Sequence, residues 1–443
     1  MAARVSELDA WLARIEKQHA RPAIDLSSES LARVRAVAER LGISLGCPTF
    51  VVGGTNGKGS TCAMLDSMLR AGGFRVGRYT SPHLLRFNER VAIDGRDVDD
   101  EALIGNFEAV ERARGATVFT YFEFTTLAAL RLFSGSKLDA AVLEVGLGGR
   151  LDAVNIVDAD CALVTSIDLD HMDFLGPTRE HIGFEKAHIY RKDRPAICCD
   201  PLPPQSLIDV AGRLGADLWR LGRDFNYRGM SYGDAAPARA MQQWSYAGRQ
   251  VRRNSLPYPA LRGANQLLNA SGALAALEAL ADRLPLSQQA VRQGLLTAQL
   301  PARFQVLAGR PTVVLDVAHN PHAAAVLAQN LGSQGYFPTT HAVLGMLRDK
   351  DAAGVVRHLR DRIDVWHVGS TVGTRGLDAL ALAQVVRDIV APAVAVHVYD
   401  GVAAAVAGAR GEVTADDRIV VFGSFVTVAD AMRALGVANT PAA

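Results

Sequence analysis

Residues 49–61, TFVVGGTNGKGST, bring together the groups that bind a polyphosphate. A short apolar run leads into glycines, a lysine and two hydroxyl residues. Glycines let backbone N–H groups turn toward phosphate oxygens, and the N-terminus of a following helix adds positive potential. Lys58 would reach the outer phosphates, and Ser60 or Thr61 could ligate Mg²⁺. The segment therefore predicts an ATP site.

The spacing departs from the common pattern G-x-x-x-x-G-K-[ST]. Val52 stands where the first glycine is expected, and Gly59 displaces the hydroxyl by one residue. The alternative is a glycine-rich turn that holds a lysine by chance. Residues 62–70 repeat apolar side chains at helical spacing, so strand, glycine loop and helix occur in the required order. This context favours the ATP site.

Two later strands also end in polar residues. Residues 140–144, AAVLE, predict a buried strand with Glu144 at its carboxyl end, which is the usual place for a Mg²⁺ partner beside a phosphate loop. Residues 161–167 predict another strand, and His171 follows it in an acidic loop. A solvated turn is the alternative to a metal role for His171. Lys186, on a predicted helix, reads from the sequence alone as a solvated charge.

Two α/β domains are expected from the order of elements. The first is a P-loop ATP-binding domain over residues 1–298, with a small antiparallel β elaboration over 218–261. A hinge follows at 299–306. Residues 307–443 form a smaller, doubly wound, Rossmann-like domain. Its five predicted strands span 312–317, 341–345, 364–369, 394–399 and 418–422.

Composition and charge argue against several classes of protein. No run approaches the ~20 apolar residues that cross a bilayer, and the first 21 residues lack the apolar core of a secretory signal. A net charge of +1 gives no argument for nucleic acid or an anionic membrane. Five cysteines without a zinc-binding spacing indicate reduced thiols in a cytoplasmic protein. We expect a monomer, because no heptad pattern is present.

Motifs along nearly the whole chain resemble one family. Residues 54–60, GTNGKGS, are similar to the altered phosphate loop of the Mur ligase superfamily, which accounts for the displaced glycine and hydroxyl. Further stretches resemble its folylpolyglutamate synthase/dihydrofolate synthase members, and they keep that family's order. They are SPHL (81–84), YFEF (121–124), EVGLGGRLDAVN (144–155), LDH (169–171), EKA (185–187), RFQ (303–305), DVAHNP (316–321), GML (345–347) and DKD (349–351).

The resemblance implies an ATP-dependent amide ligase. ATP would phosphorylate a substrate carboxylate, and the amine of L-glutamate would displace phosphate from the acyl phosphate. The implied acceptors are 7,8-dihydropteroate and reduced folates. A ligase with only one of these activities is the first alternative. A murein-type peptide ligase would need a further N-terminal domain before the loop near residue 53, and a non-enzymatic nucleotide switch would not need the metal ligands.

The resemblance also assigns roles residue by residue. Catalytic roles fall to Lys58, His171 and a carbamylated Lys186, beside an expected pair of Mg²⁺ ions. The implied metal ligands are Ser81, Glu144 and His171. The implied nucleotide contacts are Gly57, Lys58, Gly59, Ser60, Asn269, Arg303 and Asp316. The implied pteridine pocket includes Asp25, Phe122 and Asp152.

Overall fold

The computed structural model describes residues 6–18, 25–230, 243–263 and 265–437. They divide into two compact units. The first holds the described residues up to 260 together with 267–298, and the second holds 261–263, 265 and 266 with those from 299 onward. We expected 261–266 in the first domain. They group with the second unit, where Gly263 lies against the side chain of Asn330.

An eight-stranded sheet forms the centre of the first unit. Its strand order is β4-β3-β2-β5-β1-β6-β7-β8, parallel from β2 to β8 and antiparallel at β3 and β4. The strands are β1 (Thr49–Gly53), β2 (Val76–Tyr79), β3 (Val91–Ile93), β4 (Arg96–Asp97), β5 (Ala140–Glu144), β6 (Cys161–Val164), β7 (Pro195–Cys198) and β8 (Asp217–Arg220).

Helices cover both faces of this sheet. They are α1 (Glu7–Gln18), α2 (Ser28–Arg40), α3 (Lys58–Ala71), α4 (Asp100–Arg114), α5 (Tyr121–Ser134), α6 (Met172–Leu175), α7 (Arg179–Ala187), α8 (Gln205–Leu214), α9 (Gln266–Ala279) and α10 (Gln288–Thr297). Helices α4, α5, α7 and α8 share one core with Val51, Leu143 and Val164. On the other face α3 packs against β5 and α10 packs against α3. Strands β1 and β5 are therefore fully buried, as their unbroken apolar runs indicate.

The predicted β elaboration is smaller than expected. Strands β9 (Asn226–Met230), β10 (Gln243–Ala247) and β11 (Arg252–Pro257) form a separate antiparallel sheet in the order β11-β10-β9. Residues 218–220, which we placed in that elaboration, belong instead to β8 of the main sheet. The preceding strand β7 and helix α8 had no prediction. Together they form one more strand–helix–strand repeat, which makes β8 the parallel neighbour of β7.

The second unit is a three-layer α/β domain. Its strands are β12 (Gln305–Leu307), β13 (Thr312–Leu315), β14 (Thr340–Leu344), β15 (Val365–Gly369), β16 (Ala395–Tyr399) and β17 (Arg418–Phe422), in the order β12-β13-β17-β14-β15-β16. Its helices are α11 (Pro321–Ser333), α12 (Ala352–Leu359), α13 (Ala379–Arg387), α14 (Val402–Glu412) and α15 (Phe425–Leu435). All five predicted strands form, and they are parallel.

The segment predicted as a hinge contains the start of an edge strand. Strand β12 begins at Gln305 and pairs antiparallel with β13, so Gln305 and Val306 belong to the sheet of the second unit. A three-residue strand is too short to show a period, which is why the sequence missed it. Within the described ranges, no helix combines the length and the apolar character that a bilayer span requires.

Close packing of α10 on α3 depends on Gly294. A Cβ at this position would collide with the backbone of Met68. We expect Gly294→Ala to lower the free energy of unfolding by about 1–3 kcal/mol, because the two helices would have to separate. Gly105→Ala on α4 is the matched control, since a Cβ there meets nothing within 4 Å. Helix propensity should leave that control unchanged or slightly stabilised. Equal shifts of the urea midpoint in both variants would contradict this account.

Candidate active site

Sheet order brings the predicted site residues of the first unit to one edge. Strands β2, β5, β1 and β6 are parallel neighbours, so their carboxyl ends lie side by side. Ser81 follows β2, Glu144 ends β5, the phosphate loop follows β1, and His171 lies beyond β6. Ligands of open α/β sheets bind at this edge.

The loop after β1 requires two of its glycines. Gly57 precedes α3 with φ 91°, and Gly54 has φ 137°. A Cβ on Gly57 would lie 2.5 Å from Asn269 Oδ1, which places the predicted nucleotide contact Asn269 of α9 directly against the loop. Helix α3 then begins at Lys58, and Gly59 and Ser60 are buried in its first turn. Backbone N–H groups of a helix start favour a bound anion.

The loop after β6 holds the phosphate loop in place. Thr165 Oγ1 donates to the Asn56 carbonyl at 2.7 Å, and Ser166 Oγ donates to the same oxygen at 3.1 Å. The Thr55 N–H in turn donates to the Ser166 carbonyl at 2.7 Å. A side chain on Gly54 would collide with Thr165. We assigned no role to Thr165 or Ser166. Their position just after a strand next to β1 was the signal available.

Two lysines converge on one carbonyl oxygen of this loop. Lys58 Nζ donates to the Gly54 oxygen at 3.1 Å, and Lys186 Nζ donates to the same oxygen at 2.9 Å. Lys186 is 4% exposed, so the interpretation as a solvated charge is wrong. Burial, with the charge of Lys58 as a second cause, lowers the pKa of Lys186 from 10.5 to about 7. A buried amine that is partly neutral at pH 7 is nucleophilic.

Of the predicted metal ligands, Ser81 and Glu144 are joined directly. The Ser81 N–H donates to Glu144 Oε2 at 3.1 Å, and the Glu144 side chain is buried. His171 has φ 51° at the start of the short helix α6, and its Nε2 lies 3.9 Å from Asp170 Oδ1. Oxygen donors such as a carboxylate and a hydroxyl suit Mg²⁺.

Asp152 is a buried carboxylate at the start of the turn over 153–156. Its oxygens accept hydrogen bonds from the Leu147 N–H at 2.8 Å and the Val154 N–H at 2.9 Å. Burial raises the pKa of Asp152 from 3.8 to about 6, although these hydrogen bonds oppose the shift.

The ring of Phe122 lies in a constrained position near the start of α5. It stacks on Tyr79, with ring centroids 6.1 Å apart. A Cβ on Gly146 would come within 2.5 Å of the Phe122 ring, so glycine at 146 is required for this approach.

Asp25 is tied to α5 through Arg33. Arg33 Nη2 donates to Asp25 Oδ2 at 2.8 Å and to Glu123 Oε1 at 2.7 Å. Ser30 Oγ also donates to Glu123, which caps α5 together with Thr120. Arg33 and Glu123 had no predicted role. The ion pairs fix the chain before α2 against the helix that carries Phe122.

The remaining predicted residues, Arg303 and Asp316, lie in the second unit. Asp316 lies partly buried just after β13 and accepts from the N–H groups of Phe304 and Ala318, both at 2.8 Å. Burial raises the pKa of Asp316, while the Arg303 charge opposes the shift. The Arg303 guanidinium lies 5.0 Å from the centre of the Phe425 ring. A cation and a carboxylate are thus held together at the carboxyl end of β13.

Comparison with known proteins assigns the chain to a protein family. Residues 52–276 match the Mur ligase middle domain, and residues 302–425 match the Mur ligase, glutamate ligase domain. The dihydrofolate synthase/folylpolyglutamate synthase of Escherichia coli is 43% identical over 97% of this chain and 96% of its own length. The chain belongs to the dihydrofolate synthase/folylpolyglutamate synthase family.

Solved structures of this family share the fold. The Escherichia coli enzyme FolC in complex with DHPP and ADP has a TM-score of 0.89 at 42% identity, covering 98% of this chain and 99% of that one. A bifunctional enzyme of the family with Mn, AMPPNP and L-glutamate bound has a TM-score of 0.86 at 43% identity, covering 97% of this chain and 98% of that one. The family and the α/β fold class expected from the sequence are confirmed.

The raised pKa of Asp152 predicts a pH-dependent stability difference. Its folded pKa of about 6 exceeds the unfolded value, so the stability gained from its protonation is lost as pH rises from about 4 to 6. Asp152→Asn cannot ionise. Its free energy of unfolding relative to the wild type should therefore rise between pH 4 and pH 7, by at most about 3 kcal/mol.

Urea unfolding at several pH values measures this difference. Asp209→Asn, at an exposed position on α8 of the same unit, is the matched control and should show no such rise. A difference for Asp152→Asn that stays flat or falls with pH would disprove the assignment.

Proposed function

We propose that this protein is an ATP-dependent ligase that adds L-glutamate to 7,8-dihydropteroate and to reduced folates. Family membership supports the reaction type, and relatives of known structure bind DHPP, ADP, a nucleotide analogue and L-glutamate. The observation that carries the proposal is the glycine loop at the start of α3, with Lys58 and a second buried lysine on one carbonyl and Glu144 on the adjoining strand.

The loop and α3 would bind the phosphates of ATP. Backbone N–H groups from Gly57 to Ser60 lie at the helix start, where the partial positive charge favours phosphate oxygens. Lys58 supplies positive charge against the negative charge that grows on the transferred phosphoryl group. Arg303 and Asp316 are proposed as further nucleotide contacts, as the family resemblance implies. Asn269 would fix the nucleotide through its amide, next to Gly57.

We assign metal binding to Ser81, Glu144 and His171, with Mg²⁺ as the ion. Their oxygen-rich donor set fits Mg²⁺, which when bound neutralises phosphate charge. Glu144 is held by the Ser81 N–H, so its carboxylate keeps one orientation. We propose two ions, because the buried amine of Lys186 would become an additional anionic ligand after carbamylation.

Carbamylation of Lys186 follows from its surroundings. A neutral amine adds to CO₂, which forms an N–C bond and releases one proton. The product carries a negative charge beside Lys58, so the repulsion between two cations becomes an attraction. The lowered pKa of Lys186 supplies the neutral amine at neutral pH.

Phe122, Asp152 and Asp25 are proposed to bind the pterin. The Phe122 ring offers a flat apolar face, and carboxylates accept hydrogen bonds from ring N–H groups. The acceptor carboxylate would take the terminal phosphoryl group of ATP to give an acyl phosphate. The glutamate amine would then form the C–N bond, and phosphate would leave. Use of only one of the two acceptors is the alternative.

Five buried free cysteines support a reducing compartment, and we propose a cytoplasmic enzyme. We also propose that it acts on its small-molecule substrates as a monomer, for which the absence of a heptad pattern in the sequence is the support.

The decisive test is ADP release with Mg²⁺ and L-glutamate, with 7,8-dihydropteroate and tetrahydrofolate offered in separate reactions. We expect turnover with both acceptors. Gly57→Ala should reduce turnover at least about 100-fold, because its Cβ enters the space of Asn269 at the loop. Gly73→Ala is the matched control, since Gly73 has φ 87° against 91° for Gly57 but open space around it.

Each outcome of this assay distinguishes between the proposed activity and its alternatives. Turnover with one acceptor would select the single-activity ligase, and turnover with neither would reject the proposal. Equal losses in Gly57→Ala and Gly73→Ala would mean that backbone strain alone, and not the loop, limits the reaction.

Carbamylation has a separate spectroscopic test. Protein equilibrated with ¹³C-bicarbonate should show a carbamate carbon signal that grows as pH rises from about 6 to 8, because the neutral fraction of Lys186 increases. Lys186→Met should abolish the signal, and Lys192→Met, at an exposed lysine, should retain it. A signal that survives in Lys186→Met would assign the carbamate to another amine.

A further inference from the structure

Three histidines lie side by side on one face of the second unit's sheet. His367 of β15 pairs directly with His397 of β16. His341 of β14 is two residues before Val343, which pairs with His367, so it shares that face. The imidazole rings stack in sequence, with centroids 5.4 Å apart for His341 and His367 and 5.2 Å for His367 and His397.

Helix α14 brings a carboxylate to these rings. Gly408 lies against the Tyr399 hydroxyl with no room for a side chain, which lets the helix approach the sheet closely. Glu412 is one helical turn further and therefore on the same face. Its Oε2 lies 3.6 Å from both His367 Nε2 and His397 Nε2. We call His341, His367, His397 and Glu412 the histidine cluster.

Distances among His341, His367 and Glu412 fit ligands around one metal ion, and His397 lies beside them, outside this set of three. Bonds of 2.0–2.1 Å to a tetrahedral Zn²⁺ place neighbouring ligand atoms about 3.3 Å apart. His341 Nδ1 and His367 Nε2 are 3.1 Å apart, and the two carboxylate distances are 3.6 Å. The latter exceed hydrogen-bonding distance. The ligand atoms of His341, His367 and Glu412 all lie within 4.8 Å of one another.

The surroundings of the histidine rings also suit a metal site. Tyr399 OH lies 3.1 Å from His367 Nδ1, the ring nitrogen that faces away from the cluster, as a partner that orients a metal-binding histidine does. The rings of His341 and His367 are buried, and a neutral imidazole offers one ring nitrogen to a metal ion. The side chains of His397 and Glu412 are 44% and 45% exposed, which gives an ion a route from solvent.

We propose that the histidine cluster binds one divalent transition-metal ion, with Zn²⁺ as the reference ion. The two imidazoles of His341 and His367, with the Glu412 carboxylate, select ions of this class over Mg²⁺, which prefers oxygen ligands. The ion would link β14 and β15 to the end of α14. This site is separate from the proposed ligase chemistry, and its residues take no part in that chemistry.

Zinc binding to the full-length protein tests the proposal. The chain, first dialysed against a chelator, is titrated with Zn²⁺ in the presence of a competing indicator and excess Mg²⁺. We expect one Zn²⁺ per chain. Glu412→Gln should weaken binding at least about tenfold, and Tyr399→Phe should weaken it about tenfold. His358→Gln, at an exposed position on α12 outside the cluster, should bind as the wild type does.

Two results would contradict the proposed metal site. No Zn²⁺ uptake by the wild type would mean that Tyr399, His367 and His341 form only a hydrogen-bonded chain. Uptake that persists at full affinity in Glu412→Gln would place the ion elsewhere, for instance on the buried cysteines. Unchanged urea midpoints of these variants exclude unfolding as the cause of a loss. Lys58→Ala should retain zinc binding, so failure of the ligase assay does not decide this result.

Discussion

The close approach of two loops at the sheet edge underlies the organisation of the site. Gly54 has no side chain, and Thr165 occupies the space that a side chain there would need. Thr165 and Ser166 then hold the Asn56 carbonyl through two hydroxyl groups. The conformation of the phosphate loop is thus fixed from the neighbouring strand. Because that conformation turns the Gly54 carbonyl toward both Lys58 and Lys186, the positions of both amines depend on it.

Ionisable groups are concentrated in this region, and most of them are buried. Two lysines share one acceptor, while Glu144 and Asp152 are buried carboxylates held by backbone N–H groups. The resulting environment lowers the pKa of one amine and raises that of one carboxyl group, both toward neutrality. Titratable groups shifted in this way are typical of functional sites. A ligase that binds ATP and anionic substrates depends on well-placed charged groups more than on a covalent nucleophile.

The second unit combines a similar layered sheet with a different polar interior. Alternate residues of its central strands face opposite helix layers. Val420 and Phe422 face α11, α12 and α13. The histidines of β14, β15 and β16 face α14, where three imidazoles replace the aliphatic side chains expected under a helix. Burying the imidazoles of His341 and His367 costs solvation free energy unless each finds a partner. The packing of the sheet alone therefore does not explain the histidine cluster.

The sequence by itself determined the family, the α/β class and most strands of both units. Buried parallel strands such as β1, β5 and β17 are unbroken apolar runs, and a local pattern of this kind survives in any fold that buries it. The phosphate loop could also be predicted from the sequence, because its glycines, its lysine and the helix start are contiguous along the chain. Short edge strands such as β12, and the assignment of 218–220 to β8, depended on long-range pairing and escaped prediction.

Only the tertiary structure decided which distant residues meet. Lys186 read as a solvated charge until the fold buried it against Gly54, 132 positions away. Arg33 joined Asp25 to Glu123, 90 positions further along the chain from Arg33, and no spacing in the sequence signals such a pair. The histidine cluster came from strands that are neighbours only in the sheet. The physical reason is the same in each case: burial and electrostatic coupling depend on spatial distance, which the linear order of residues does not contain.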